Sequence, residues 1–428
     1  MSSLGFSVLF VVFLLLTLGL RFWLASRQLR HVLRHRASVP AEFASKVPLH
    51  AHQKAADYTV AKTRTGIVGL FWGGVVLVGF TLLGGLQWLS TALLPVTGPG
   101  MLHQMALVVS FAILSSLLDL PLDWYRQFVL EERFGFNKMT PALWFSDLLK
   151  GALVGALIGL PLLWVILTLM EKSGDLWWLY AWLVWSGFQL LMMVLYPTVI
   201  APLFNKFTPL ADAGLKERIE GLMARTGFAS KGLFVMDGSK RSAHGNAYFS
   251  GFGENKRIVF FDTLLARLEP QEIEAVLAHE LGHFKLRHIV KRIVVMFALS
   301  LGFLALLGYL KTQAWFYTGL GVRPSISLDP TLAAAPNDAL ALLLFMLVVP
   351  VFTFFISPLF SQLSRRHEFQ ADAYAVAQAS GADLSSALLK LYEDNASTLT
   401  PDPVYVKFYY SHPPATERLA RMHNPSHP

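Results

Sequence analysis

The sequence predicts an all-α membrane protein of seven spans that carries a polar α+β block on one side of the bilayer. Three observations lead there. Of 428 residues, 54% are apolar and only 15% are charged, against roughly 25% charge in an ordinary soluble domain. Seven stretches of about 18 or more residues are almost free of charge, the length a helix needs to cross the hydrocarbon core. Two polar blocks, 201–290 and 361 onward, interrupt that pattern. This composition excludes disorder and fits no wholly soluble enzyme. Cysteine is absent, which removes disulfides and thiolate-based sites, so any metal must be held by His, Asp or Glu.

The apolar runs are 4–24, 66–89, 102–122, 151–170, 176–200, 293–310 and 339–360. Five of them carry no formal charge. The first contains Arg21, placed near an end where it can snorkel, and the third contains Asp119. The first run lacks a basic leader segment and six more follow, so it reads as a retained helix rather than a cleaved signal. Orientation comes from the Lys/Arg bias. Stretch 26–65 holds eight Lys/Arg against two acidic residues, whereas 90–101 holds none. The N-terminus is therefore expected outside, with both polar blocks on the cytoplasmic side. The net charge of +8 then reads as sidedness and attraction to an anionic bilayer, with no nucleic-acid partner.

Within the first polar block, 216–226 reads as an amphipathic helix. Segments 232–236, 246–250 and 257–262 read as strands, with 250–256 as the turn of a hairpin. Connection 311–338 reads as an external loop, and the histidines His31, His35, His50 and His52 of the basic first loop read as solvated.

The strongest chemical signal is His279-Glu280-Leu281-Gly282-His283. Pro270 suits the first position of a helix, and acidic residues follow it. On that helix, residues four apart share a face, so both imidazoles can reach one ion. Glu280 is rotated by about 100° from His279 and can address the attacking water instead of the ion. This is the zincin arrangement of two His ligands and a general base. Gly282 in mid-helix costs about 1 kcal/mol against Ala, which implies a close approach at that point.

A hydrolytic zinc needs a third protein ligand. The candidate segment is Ser364-Arg365-Arg366-His367-Glu368-Phe369-Gln370-Ala371-Asp372-Ala373-Tyr374. Spans six and seven return the chain to the side on which His279 and His283 lie. Glu368 and Asp372 share a helix face, so one can ligate while the other orients an imidazole. His367 is a rival ligand.

These segments resemble the integral-membrane zinc metalloproteases that process CaaX proteins, the Ste24 type. The resemblance extends to Asp237-Gly238-Ser239-Lys240-Arg241-Ser242-Ala243-His244-Gly245-Asn246-Ala247-Tyr248-Phe249 and to Ser411-His412-Pro413-Pro414-Ala415-Thr416-Glu417-Arg418. Shorter matches fall at 131–138 and 202–210. Gly245 stands where the family leads one to expect Ser. The resemblance implies Glu368 as third ligand of one Zn2+ per chain and Asp372 as its companion behind the ligands. It also implies spans arranged as a barrel around a water-filled chamber, capped by the zinc domain.

The expected chemistry is peptide-bond hydrolysis with Glu280 as general base. His412 is expected to donate to the developing oxyanion, with Tyr410 as a weaker rival. Asn246, Ala247 and Tyr248 are expected to form an edge strand that pairs with an extended peptide. His244 and His288 are assigned to the surface or to support of the ligands. Four regions follow: spans one to five over 1–200, the zinc domain over 201–290, spans six and seven over 291–360, and a completing segment over 361–428. The expected partners are a peptide or protein, with or without a prenyl group, and the lipid bilayer, and the chain is expected to act as a monomer. A bacterial inner membrane suits the compact loops better than the endoplasmic reticulum. The alternative substrate class is that of an HtpX-type quality-control protease.

Overall fold

The structure, a computed structural model, describes residues 1–250, 256–326 and 335–423. Among these residues, seven helices are long and apolar enough to cross a membrane. Helix α1 (Ser3–Arg34) starts at a Ser2 cap whose side chain accepts the Gly5 N–H at 3.0 Å. Helix α2 (Leu49–Phe80) spans next, followed by the short α3 (Gly85–Thr97). Helix α4 (Met101–Tyr125) continues through a π-helical segment to Glu131. Helix α5 (Pro141–Lys172) rises from a Thr140 cap with Pro141 at its start, as helix N-termini favour. Helix α6 (Trp177–Leu195) runs through a second π-helical segment into the four-residue α7 (Ala201–Phe204).

The polar domain then opens with β1 (Phe207–Pro209), α8 (Ala213–Thr226), β2 (Leu233–Met236), β3 (Ala247–Ser250), β4 (Arg257–Phe261) and α9 (Asp262–Leu265). After α10 (Pro270–Lys285) the chain returns to the membrane as α11 (His288–Leu310). The short α12 (Ala314–Thr318) and the pair β5 (Ser325–Ile326) and β6 (Ala335–Pro336) precede the last span, α13 (Asp338–Thr353). A 3-10 turn leads from α13 into α14 (Ser357–Gln378). Helices α15 (Gly381–Asp394), α16 (Pro403–Tyr409) and α17 (Ala415–His423) finish the chain.

Neighbouring spans pack in the closed order α1, α2, α4, α5, α6, α11, α13 and back to α1, with α2 meeting α4 through its π-helical segment. The membrane part is therefore a closed arrangement of spans in which α13 also packs on α4 and α5. The sheet of the polar domain has order β1-β2-β4-β3, with β2 parallel to β4 and β3 antiparallel to β4. That is the expected hairpin, with Ala247 opposite Phe260; the interior of its turn, 251–255, lies outside the described residues. Strand β3 ends the sheet, and among the described residues its outer edge is unpaired. The core of this domain joins Ile219 and Leu222 of α8, Phe260 of β4, Leu277 and Leu281 of α10, and Leu384 of α15.

Three expectations are corrected. The second span does not run over 66–89: α2 stops at Phe80 because Gly84 takes φ +76° and a Cβ on Gly85 would lie 2.6 Å from the Gly79 carbonyl. The basic stretch 26–65 is consequently mostly helix. In that stretch His52 is buried, with its Nε2 2.9 Å from the His35 carbonyl oxygen. Expected to run to residue 360, the seventh α-helix ends at Thr353, and the 3-10 turn Phe354–Ile356 joins it to α14, which carries Glu368.

Candidate active site

Helix α10 is fixed at its start by a capping box in which the Glu272 carboxylate accepts the Glu269 N–H at 2.8 Å. Its apolar stripe, Ile273, Leu277 and Leu281, faces the domain core. His279 and His283 instead project towards α14, which crosses there, while Glu280 opens on the cavity described below. The crossing depends on Gly282. A Cβ there would lie 2.9 Å from Ala371 Cα and 3.1 Å from its carbonyl oxygen. The close approach implied by the sequence is thus helix-on-helix packing, and it brings Glu368 against the two imidazoles.

The three candidate ligands form a compact triangle, each offering a donor atom within 4.8 Å of the other two. His279 Nε2 and His283 Nε2 are 3.2 Å apart. Glu368 Oε2 is 3.4 Å from the first, and Glu368 Oε1 is 3.3 Å from the second. A tetrahedral divalent ion with bonds of about 2.0–2.1 Å separates its donors by roughly 3.3–3.4 Å. The residues therefore fit such an ion. Glu368 Oε2 is buried without a hydrogen-bond partner, a costly state that an ion would relieve.

Behind the triangle each imidazole is oriented through its other nitrogen. His279 Nδ1 lies 2.8 Å from Asp372 Oδ1. Asp372 in turn accepts from Arg418 Nε at 2.8 Å, and Arg418 Nη1 lies 4.0 Å from Glu368. His283 Nδ1 is 3.1 Å from His288 Nδ1, whose Nε2 meets Gln370 Oε1 at 2.9 Å. His367, the rival ligand, instead stacks on His288 with ring centroids 4.0 Å apart. Burial would push His279 down, but the carboxylates of Asp372 and Glu368 outweigh it and raise its pKa to about 9. The site therefore attracts a positive charge at this point even without an ion. Burial raises Glu280 above its ordinary value, against the pull of both histidines.

His279 and Glu280 line a cavity of about 1010 Å³ that extends to α1 and α2 among the membrane spans. Asn246, Ala247, Tyr410 and His412 share its wall. His412 is 65% exposed and has Nε2 3.4 Å from Glu368 Oε1. Tyr248 does not join them. Strand alternation turns its side chain into a separate hollow beside Phe234 and Arg257. A Cβ at Gly245 would meet nothing closer than 3.5 Å, so Ser has room there as well. His244 stacks on Phe136 and bonds Asn395 Oδ1 at 3.0 Å, away from the triangle. Arg418 and Gln370 are the functional residues that the sequence reading misses. Both lie inside quoted segments, but nothing local announces their partners.

Residues 28–206 match the family described as CAAX prenyl protease N-terminal, five membrane helices, and residues 209–426 match peptidase family M48. The Arabidopsis thaliana protein named CAAX prenyl protease 1 homolog is 37% identical over 390 residues, covering 89% of each chain. Saccharomyces cerevisiae CAAX prenyl protease 1 is 35% identical, over 90% of this chain and 88% of that one. The human CAAX prenyl protease 1 homolog is 33% identical, over 94% and 91% respectively. The crystal structure of S. mikatae Ste24p superposes with a TM-score of 0.90 at 31% identity, covering 99% of this chain and 100% of that one. The chain belongs to peptidase family M48, and within it to the Ste24-type integral-membrane metalloproteases.

Proposed function

We propose that the chain binds one zinc ion through His279, His283 and Glu368 and hydrolyses peptide bonds near the C-terminus of CaaX-type substrates, prenylated or not. The observation that carries this reading is the donor triangle, spaced for one tetrahedral ion, with His279 and Glu280 opening on the large cavity. When bound, zinc supplies a Lewis acid that lowers the pKa of water toward about 7 and polarises the scissile carbonyl.

The protein's own groups do the rest. Glu280 takes the proton of the attacking water and passes it to the leaving amine nitrogen. His412 donates its Nε2–H to the oxygen that becomes negative as the carbonyl turns tetrahedral. Asp372 holds His279 by Nδ1, and His288, backed by Gln370, holds His283, so both Nε2 atoms stay aimed at the ion. The free edge of β3 at Ala247 and Tyr248, with Asn246 just before it, pairs through its main chain with an extended peptide. Such pairing is indifferent to which way the Tyr248 side chain points.

The relatives named CAAX prenyl protease 1 in plant, yeast and human support the CaaX class over HtpX-type quality control. The basic excess of 26–65 supports a cytoplasmic zinc domain, built from 201–290 and 361–428 on the spans of 1–200 and 291–360. The compact loops favour a bacterial inner membrane over the endoplasmic reticulum, and the whole donor set lies on one chain, as a functional monomer requires. Assay of a prenylated CaaX peptide beside unfolded casein tests the substrate class. Selective cleavage of the peptide is expected; preferential degradation of casein would instead mark a quality-control enzyme.

A further inference from the structure

Arg21 stands out among the charges of the cavity. It is the one charged residue of the first apolar run, yet α1 continues well past it to Arg34, so it does not snorkel at a helix end. Instead it lines the same cavity as His279 and Glu280. Its guanidinium lies over the Phe354 ring, 4.4 Å from the centroid. Among the described residues it has neither hydrogen bond nor ion pair, and its Nε is buried without a partner. The other cations of the wall are occupied: Arg418 by Asp372, Arg126 by Asp123 at 3.0 Å, and Lys62 over the Tyr58 ring. Glu280 is the single carboxylate among the described lining residues, and it is required for proton transfer.

An unpaired arginine in a membrane-crossing helix is expensive to keep and marks a missing partner. The planar guanidinium fork matches a carboxylate. A peptidase that cuts near a C-terminus has to sense that end, and the α-carboxylate is the charge every free C-terminus offers. We infer that Arg21 receives the C-terminal carboxylate of the substrate peptide, anchoring the end from which the cut is measured. The Phe354 ring props the guanidinium, and Tyr405 and Tyr409 of the same wall offer hydroxyls to the bound carboxylate. This inference rests on the C-terminal processing proposed above.

The test uses the full-length zinc-loaded protein and one prenylated CaaX peptide, made as the free acid and as the C-terminal amide. For the wild type, amidation is expected to lower kcat/KM by about tenfold to a hundredfold, mainly through KM. Arg21→Gln should cleave the acid as poorly as the wild type cleaves the amide and should no longer distinguish the two. Arg21→Lys keeps the charge without the fork and should retain only part of the preference, which carries the test if the neutral variant fails to fold. An undiminished acid preference in either variant overturns the anchor. Wild type that cuts acid and amide equally well, still near the C-terminus, overturns the anchor but not the processing. Cuts scattered along the peptide regardless of its terminus overturn both.

Discussion

His279 shows how a single side chain is tuned for its role. Its spacing from His283 is readable directly, because a helix places residues four apart on one face. Its partners are not. The sequence puts Glu368 and Asp372 on one face but cannot say which approaches the ring from which nitrogen; family resemblance alone separates them. Arg418, which holds Asp372 from 46 residues away, leaves no local trace at all. The carboxylates that hold His279 also give it a pKa of about 9, above its ordinary 6.5, and this has a measurable consequence. The ring must lose its proton to bind an ion, so protons compete for the site across neutral pH. Zinc affinity of the metal-free protein, read by competition with a chelator, should rise about tenfold per pH unit toward pH 9 and then level off. A flat profile between about pH 7 and 9 would refute the tuning. In the metal-free protein, the stability from charged His279 is fully present below 6.5 and lost as pH rises through about 9.

At the scale of elements, the site is a helix crossing. The sequence reveals α10 through its capping signals and β2, β3 and β4 through their Val, Ile and Phe content. It fails at the break after α2, because a local αL turn at Gly84 is invisible inside a continuous apolar run. It also hints at the crossing itself, through the unfavourable Gly282. Filling that gap is a direct probe of the geometry. In Gly282→Ala the new methyl would lie 2.9 Å from backbone that cannot swing aside. Overpacking of this kind costs about 1–3 kcal/mol, and it should push α14, with Glu368, away from the imidazoles. Both a lowered Tm and a reduced zinc content are expected; full zinc occupancy at unchanged stability would contradict the account. The turn out of α10 is equally constrained. Arg287 adopts φ +57°, rare for a residue with a Cβ, and His288 follows it against His283.

For the whole molecule, the span count is legible because bilayer thickness imposes a length on every apolar helix, while the closed arrangement depends on contacts between spans distant in sequence. Helices α11 and α13 carry the chain across and back, so the His-bearing helix before them and the Glu-bearing helix after them meet on one side. The absence of cysteine makes sidedness easy to test with single Cys substitutions. In intact cells Thr91→Cys, on α3, should react with an impermeant maleimide, while Lys216→Cys, on α8, should react only after permeabilisation. The reverse pattern would invert the proposed topology. The central claim, that this chain is a zinc hydrolase with Glu280 as its base, is tested most directly by Glu280→Gln. Zinc analysis and mapping of cleavage on a prenylated CaaX peptide should be run side by side with wild type. The variant should keep one zinc per chain and lose cleavage, since a base is removed and no ligand is touched. Persistent cleavage by zinc-loaded Glu280→Gln would contradict the account.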